Sequence, residues 1–173
     1  MIIKKAKAED FDELKIFYVR MNEIINSRNN GYNPDNAVFP TDEMINKAIA
    51  SEGQIIGIED GRIVAGCIVS GEGEPAYNTA KWNVDAKDNE IWILHALRVA
   101  PEYEGRGFAK QMLSYVIDIA PKRNRKAIRL DVLEGYSVEN LYLSFGFKYI
   151  DTVEILYDDI GYPRNFRLLE RKI

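Results

Sequence analysis

The ten residues EIWILHALRV, Glu90 to Val99, constrain the fold more than any other stretch. They are apolar on both alternating faces, so as a strand they have to be covered on both sides. The interior of a sheet flanked by helices provides that cover, and a solvent-facing hairpin does not. The connection follows at once in PEYEGRGFAKQML, residues 101–113. There Gly105 and Gly107 separate a tyrosine-containing turn from Phe108, Ala109, Met112, Leu113, Val116, Ile117 and Ala120, which share one helical face. Ile128, Leu130 and Val132 then alternate as the next strand. A helix joining two strands of one sheet makes a right-handed crossover, so strands 90–99 and 127–133 are expected to run parallel.

The other segments fit around this unit. Residues 2–5 read as a short strand, and Phe11, Leu14, Phe17, Tyr18, Met21, Ile24 and Ile25 mark a helix stripe. Asn29 to Pro40 is turn-rich and reads as a surface loop. Thr41 is placed to cap a helix over 42–51 that buries Met44, Ile45, Ala48 and Ile49. Two strand-like runs, 54–59 and 62–70, are joined by Asp60-Gly61, a two-residue hairpin signal. A polar segment over 71–89 follows, and its Gly71-Glu72-Gly73 has no helix pattern after it. Val138, Leu141, Tyr142 and Phe145 have helical spacing, with Gly146 just past the helix end. Strands over 147–157 and 164–171, with a turn at 158–163, close the chain. The expected class is α/β with a mixed sheet, in the order β-α-α-β-β-β-α-β-α-β-β, as one domain over 1–173.

Composition narrows the function. The chain is 46% hydrophobic and 29% charged, as soluble globular domains are. Its net charge, 23 − 27 = −4, provides no basic face for duplex nucleic acid, and Lys122 to Lys126 read as a solvated helix end. The single cysteine, Cys67, forms neither an internal disulfide nor a cysteine zinc site and reads as a small buried hydrophobe. Neither a secretory leader nor a run of membrane-spanning length is present, so a cytoplasmic protein is expected, with no membrane or nucleic-acid partner.

A glycine turn feeding a helix start offers backbone N–H groups and the positive end of the helix dipole to an anion. The same pattern also serves as a flexible helix start, so the motif by itself leaves both readings open. No Gly-Lys-Ser/Thr follows, which excludes the P-loop, and the third glycine of the dinucleotide fingerprint is missing.

Taken with what lies downstream, the pattern becomes specific. Val99-x-Pro101-x-x-x-Gly105-x-Gly107-x-Ala109, preceded by IWILHALRV and followed by LYLSFGF at 141–147, resembles the GCN5-related N-acetyltransferase superfamily over nearly the whole chain. The family's Arg/Gln-x-x-Gly-x-Gly/Ala signature falls on Glu104, Gly105, Arg106, Gly107, Phe108 and Ala109, with Glu104 departing from Arg or Gln. The resemblance implies acetyl-CoA as co-substrate, no metal, and a donor cleft where strands 90–99 and 127–133 splay apart. Backbone amides of 104–109 would hold the pyrophosphate, and main-chain groups of Leu97, Arg98 and Val99 would pair with the pantetheine arm. Arg106 and Lys110 would add charge near the phosphates or serve as solvated surface. Where many relatives carry asparagine, around EGN, this chain has Glu134-Gly135-Tyr136-Ser137, and Asn140 would be the substitute donor contact on this resemblance.

Acyl transfer to an amine needs a proton for the leaving thiolate and an acceptor for the amine proton, because a free alkylamine has a pKa of about 10. Tyr142 matches the family's general acid, although its spacing also suits packing. The backbone N–H near Leu97 is the expected oxyanion donor. His95, the one histidine, shares an alternation face with Ile93 and Leu97 and is either the base or a satisfied core residue. Relay through water is the other route. The acceptor, a small-molecule or peptide amine, is expected over 26–40, 71–89 and 158–164, with Tyr32, Phe39, Trp82, Tyr157 and Tyr162 as lining or as packing lids. A homodimer is allowed for. The rival readings are a non-catalytic acyl-CoA-binding or sensing module and a glycine-loop nucleotide binder.

Overall fold

A computed structural model of the chain describes residues 1–28, 38–158 and 160–173. Most of the expected loop at 29–40, with Tyr32, and Asp159 of the expected turn lie outside the described residues. The elements are β1 (Ile2–Lys5), α1 (Phe11–Arg28), α2 (Asp42–Ala50), β2 (Gln54–Glu59), β3 (Arg62–Ser70), β4 (Ile91–Val99), α3 (Phe108–Ile119), β5 (Ala127–Leu133), α4 (Glu139–Ser144), β6 (Lys148–Ile155) and β7 (Arg164–Lys172). This is the expected order, element for element. The seven strands form one mixed sheet in the order β1-β2-β3-β4-β5-β7-β6. β4 and β5 pair in parallel through Ile91–Ala127, Trp92–Ile128 and Ile93–Arg129. The other registers described are antiparallel.

The chain divides into two compact units, each assembled from three separate stretches. The first comprises Met1–Val69, His95–Tyr115 and Asp158–Gly161. Its core joins Leu14, Phe17, Tyr18 and Met21 of α1 to Ile45, Ile56, Ile63, Ala96 and Ala100. Local chemistry sets its elements. The Thr41 hydroxyl accepts the Met44 amide at the start of α2, which satisfies a donor the helix cannot. Asp60 and Gly61 both take positive φ, 51° and 73°, the conformation of a tight hairpin turn. Cys67 is fully buried, and burial pushes its thiol up to about 12, which fits a core residue and not a nucleophile.

The second unit comprises Ser70–Leu94, Val116–Tyr157 and Tyr162–Ile173. Its polar segment is more ordered than its composition suggests. A short 3₁₀ turn, Pro75–Thr79, follows Gly71-Glu72-Gly73, where no helical pattern was legible. A Cβ on Gly73 would lie 2.4 Å from Ile93 Cδ1 and 2.9 Å from the Tyr77 ring, so this glycine serves close packing. Farther along, Glu170 of β7 accepts the Asn83 and Val84 amides through Oε2 and pairs with Arg129 Nε through Oε1 at 3.0 Å. Arg129 also donates to the Val84 carbonyl and lies over the Trp82 ring at 4.2 Å. The 82–84 stretch is thereby strapped to β5 and β7 by a buried ion pair.

One packing expectation needs correction. Val138 is 45% exposed at the start of α4, and only Tyr142 of the expected stripe is buried. A six-residue helix turns too little to bury a stripe spanning eight positions.

Candidate active site

The first unit contains the glycine turn. Ala100 N–H donates to the Val64 carbonyl at 2.8 Å, fixing the chain as it leaves β4. Pro101–Tyr103 then form a 3₁₀ turn, and Tyr103 stacks on Phe108 at 5.6 Å with an interplanar angle of 21°. The two rings anchor both ends of the turn and leave 104–107 toward solvent. Gly105 and Gly107 have φ of 75° and 77°, which a side-chain-bearing residue adopts only with strain. Nothing lies within 4 Å of a Cβ built on either, so the glycines are required by conformation and the space beside them is open.

The first backbone bond of α3 runs from the Gln111 amide to the Gly107 carbonyl, at 3.0 Å. The amides of 107–110 precede it and lack an intrahelical acceptor, as at any helix start. Open space, left-handed glycines and orphan amides at the positive end of a helix together fit a phosphate group. Glu104, the departure from Arg or Gln, is exposed, as is Lys110. Arg106 is committed within this unit: its guanidinium meets Glu59 at 3.0 Å and lies over both the Tyr103 and Phe108 rings.

Just upstream, Ala96 has φ of +50°. A left-handed alanine inside a strand breaks strict alternation, so the expectation that His95 and Leu97 share a face with Ile93 does not carry across position 96. His95, Leu97, Arg98 and Val99 are partly exposed, whereas Ile91 to Leu94 are buried. Arg98 Nη1 donates to the Leu97 carbonyl at 3.2 Å.

The second unit contains α4 with Asn140 and Tyr142. Asn140 is exposed. Tyr142 is 8% exposed and edge-on to Phe147 at 5.8 Å. Its carbonyl accepts the amides of Phe145 and Phe147, and the Gly146 amide donates to the Leu143 carbonyl. With Gly146 at φ 79°, this is a Schellman closure, so the GF of LYLSFGF is what ends the helix carrying the tyrosine. The same unit holds a cluster absent from the sequence reading. Tyr77 and Tyr157 both donate to Oδ2 of Asp131, at 2.7 and 2.8 Å. A signal for it was present: in AIRLDVL, Arg129 and Asp131 occupy the alternation face opposite Ile128, Leu130 and Val132.

A parallel strand pair whose crossover begins in left-handed glycines and a helix start is an α/β unit that offers unpaired backbone amides at the carboxyl end of its first strand. A family model described as Acetyltransferase (GNAT) family matches residues 19–147, most of the chain, and the protein belongs to that family of acetyltransferases. No curated protein sequence matches the chain. Solved structures share its fold. A GNAT-family acetyltransferase from Streptococcus agalactiae superposes with a TM-score of 0.74 at 17% identity, covering 99% of this chain and 95% of that one. A ribosomal-protein-alanine N-acetyltransferase from Brucella melitensis gives 0.73 at 15% identity over 100% of both chains. A GNAT-family acetyltransferase from Streptococcus pneumoniae gives 0.71 at 19% identity over 99% of both. Among the described residues, no helix is long and apolar enough to cross a membrane.

Proposed function

We propose that residues 1–173 act as one catalytic domain that transfers the acetyl group of acetyl-CoA to a primary amine, by direct attack in a ternary complex. The observation that carries this reading is the 101–110 turn, with Gly105 and Gly107 in left-handed conformation beside open space, inside a chain of the acetyltransferase family. The amides of 104–109 hold the pyrophosphate, and the main chain of Leu97, Arg98 and Val99 pairs with the pantetheine arm. Lys110 and Asn140 are the side chains nearest in sequence to the two motifs and add donor contacts. Glu104 contributes no hydrogen bond to an anion, so the backbone does the holding.

Acetyl-CoA supplies the thioester; the chain's own groups handle the charge and the protons. The amine nitrogen forms a bond to the acetyl carbon as the carbon–sulfur bond breaks. The Leu97 N–H stabilises the oxygen that gains charge. The left-handed Ala96 supports this assignment, because it redirects the backbone immediately before that amide. Tyr142 donates its phenol proton to the departing sulfur. The amine's proton leaves to His95 or through water.

The test is a CoA-release screen over a panel of amines, with calorimetric acetyl-CoA binding alongside. Release with at least one amine supports the enzyme; binding without release from any amine identifies a sensing module instead. Tyr142→Phe keeps the ring against Phe147 and removes the proton, so kcat should fall by about 100-fold with the acetyl-CoA Kd unchanged. An unchanged kcat removes Tyr142 as the acid.

A further inference from the structure

The Asp131 cluster is an unusual way to hold a carboxylate. Both phenols donate to Oδ2, and Oδ1 accepts neither. Tyr77 is buried, and Asp131 and Tyr157 are partly exposed. Burial and the adjacent Asp131 charge hold the Tyr77 phenol well above its ordinary range, so Tyr77 acts as a neutral donor.

The charge of Asp131 is oriented but not cancelled. The cation on the same face of its strand, Arg129, is occupied by Glu170 and the Val84 carbonyl. Among the described residues, no Lys or Arg forms an ion pair with Asp131. Ring contacts hold the two phenols in place: Tyr77 lies 5.5 Å from Trp82, and Tyr157 lies 5.0 Å from Phe166. A fixed, partly exposed carboxylate favours a cation and repels an anion. Its position also favours a ligand. Asp131 lies two residues beyond Arg129, the last residue of β5 paired with β4, toward the carboxyl ends of the parallel strands. Ligands of α/β sheets bind outside those ends.

We infer that Asp131, held by the phenols of Tyr77 and Tyr157, is the anionic anchor of the acceptor subsite, and that the acceptor is an amine carrying a second positive charge. This rests on the acetyltransferase reading above. Asp131 recognises the charge distant from the reacting nitrogen; the proton of the reacting nitrogen goes elsewhere.

The experiment compares three amines of matched length: putrescine, with a second ammonium; n-butylamine, with none; and γ-aminobutyrate, with a carboxylate. Wild-type kcat/KM should fall in that order, with about tenfold or more between first and last. Asp131→Asn, isosteric and neutral, should raise the putrescine KM about tenfold, leave kcat within about threefold and flatten the order. Its acetyl-CoA Kd, read by calorimetry, should match wild type. Tyr157→Phe should give the same change, smaller. If Asp131→Asn loses acetyl-CoA binding through misfolding, Tyr157→Phe decides: a weakened putrescine preference supports the anchor and an intact one overturns it. Acetyl-CoA binding with no ordering of the three amines in wild type overturns the anchor alone. Absence of acetyl-CoA binding in wild type overturns the acetyltransferase reading and the anchor together.

Discussion

Cys67 and Tyr18 show how single residues in the first unit are neutralised by burial. Both are fully buried; the thiol is raised from 9.0 to about 12, and the Tyr18 phenol is raised beyond its usual range. Tyr77 in the second unit is raised as well. A raised pKa means that the folded form keeps its proton where the unfolded form has lost it. The stabilisation from these groups is complete below the unfolded values, near 9.0 for the thiol and 10.0 for the phenols, and declines as pH rises above them. Chemical denaturation followed across pH should therefore show midpoints falling above about pH 9. Under native conditions at neutral pH, Cys67 should resist a thiol reagent and react fully once denatured. The burial of Cys67 was legible in its apolar run. The left-handed Ala96 was not, because alanine has no side chain that announces a positive φ.

The strand, glycine turn and helix over 91–119 form the element to which we assign donor binding. Its order, direction and helix stripe were all legible from two periodicities, because both faces of β4 and one face of α3 are apolar. The role of each glycine was not separable by sequence. Gly105 and Gly107 need their backbone angles, while Gly73 needs its missing side chain. Gly107→Ala should cost about 1–2 kcal/mol of stability from the forced left-handed angle, read by denaturant titration. It should also weaken acetyl-CoA binding. Glu104→Gln is expected to act the other way, tightening the acetyl-CoA Kd by about two- to fivefold once a negative charge leaves the helix start. Contacts between distant segments were the illegible part. Asp131 meets Tyr77 from 54 positions away, and no local pattern encodes that partner.

At the scale of the whole molecule, buried charge among the described residues is confined to one strap, Arg129 with Glu170, and it does more than balance itself. Because Glu170 also accepts two amides of the 82–84 stretch, removing it leaves a buried cation without its counter-charge and two amides without their acceptor. Glu170→Leu should destabilise by about 3–5 kcal/mol in denaturant titration. Pairing it with Arg129→Met should recover only part of the loss, since the amides stay unsatisfied. The two compact units carry a separate consequence for how the chain matures on the ribosome. Each is interrupted by sequence belonging to the other, and the first is completed only by Asp158–Gly161, where Ile160 is buried. Synthesis therefore offers no stopping point at which one of the two units is finished well before the other. A nascent chain must shelter both unfinished cores until residues 158–173 emerge, and a product truncated before residue 158 would have neither unit whole.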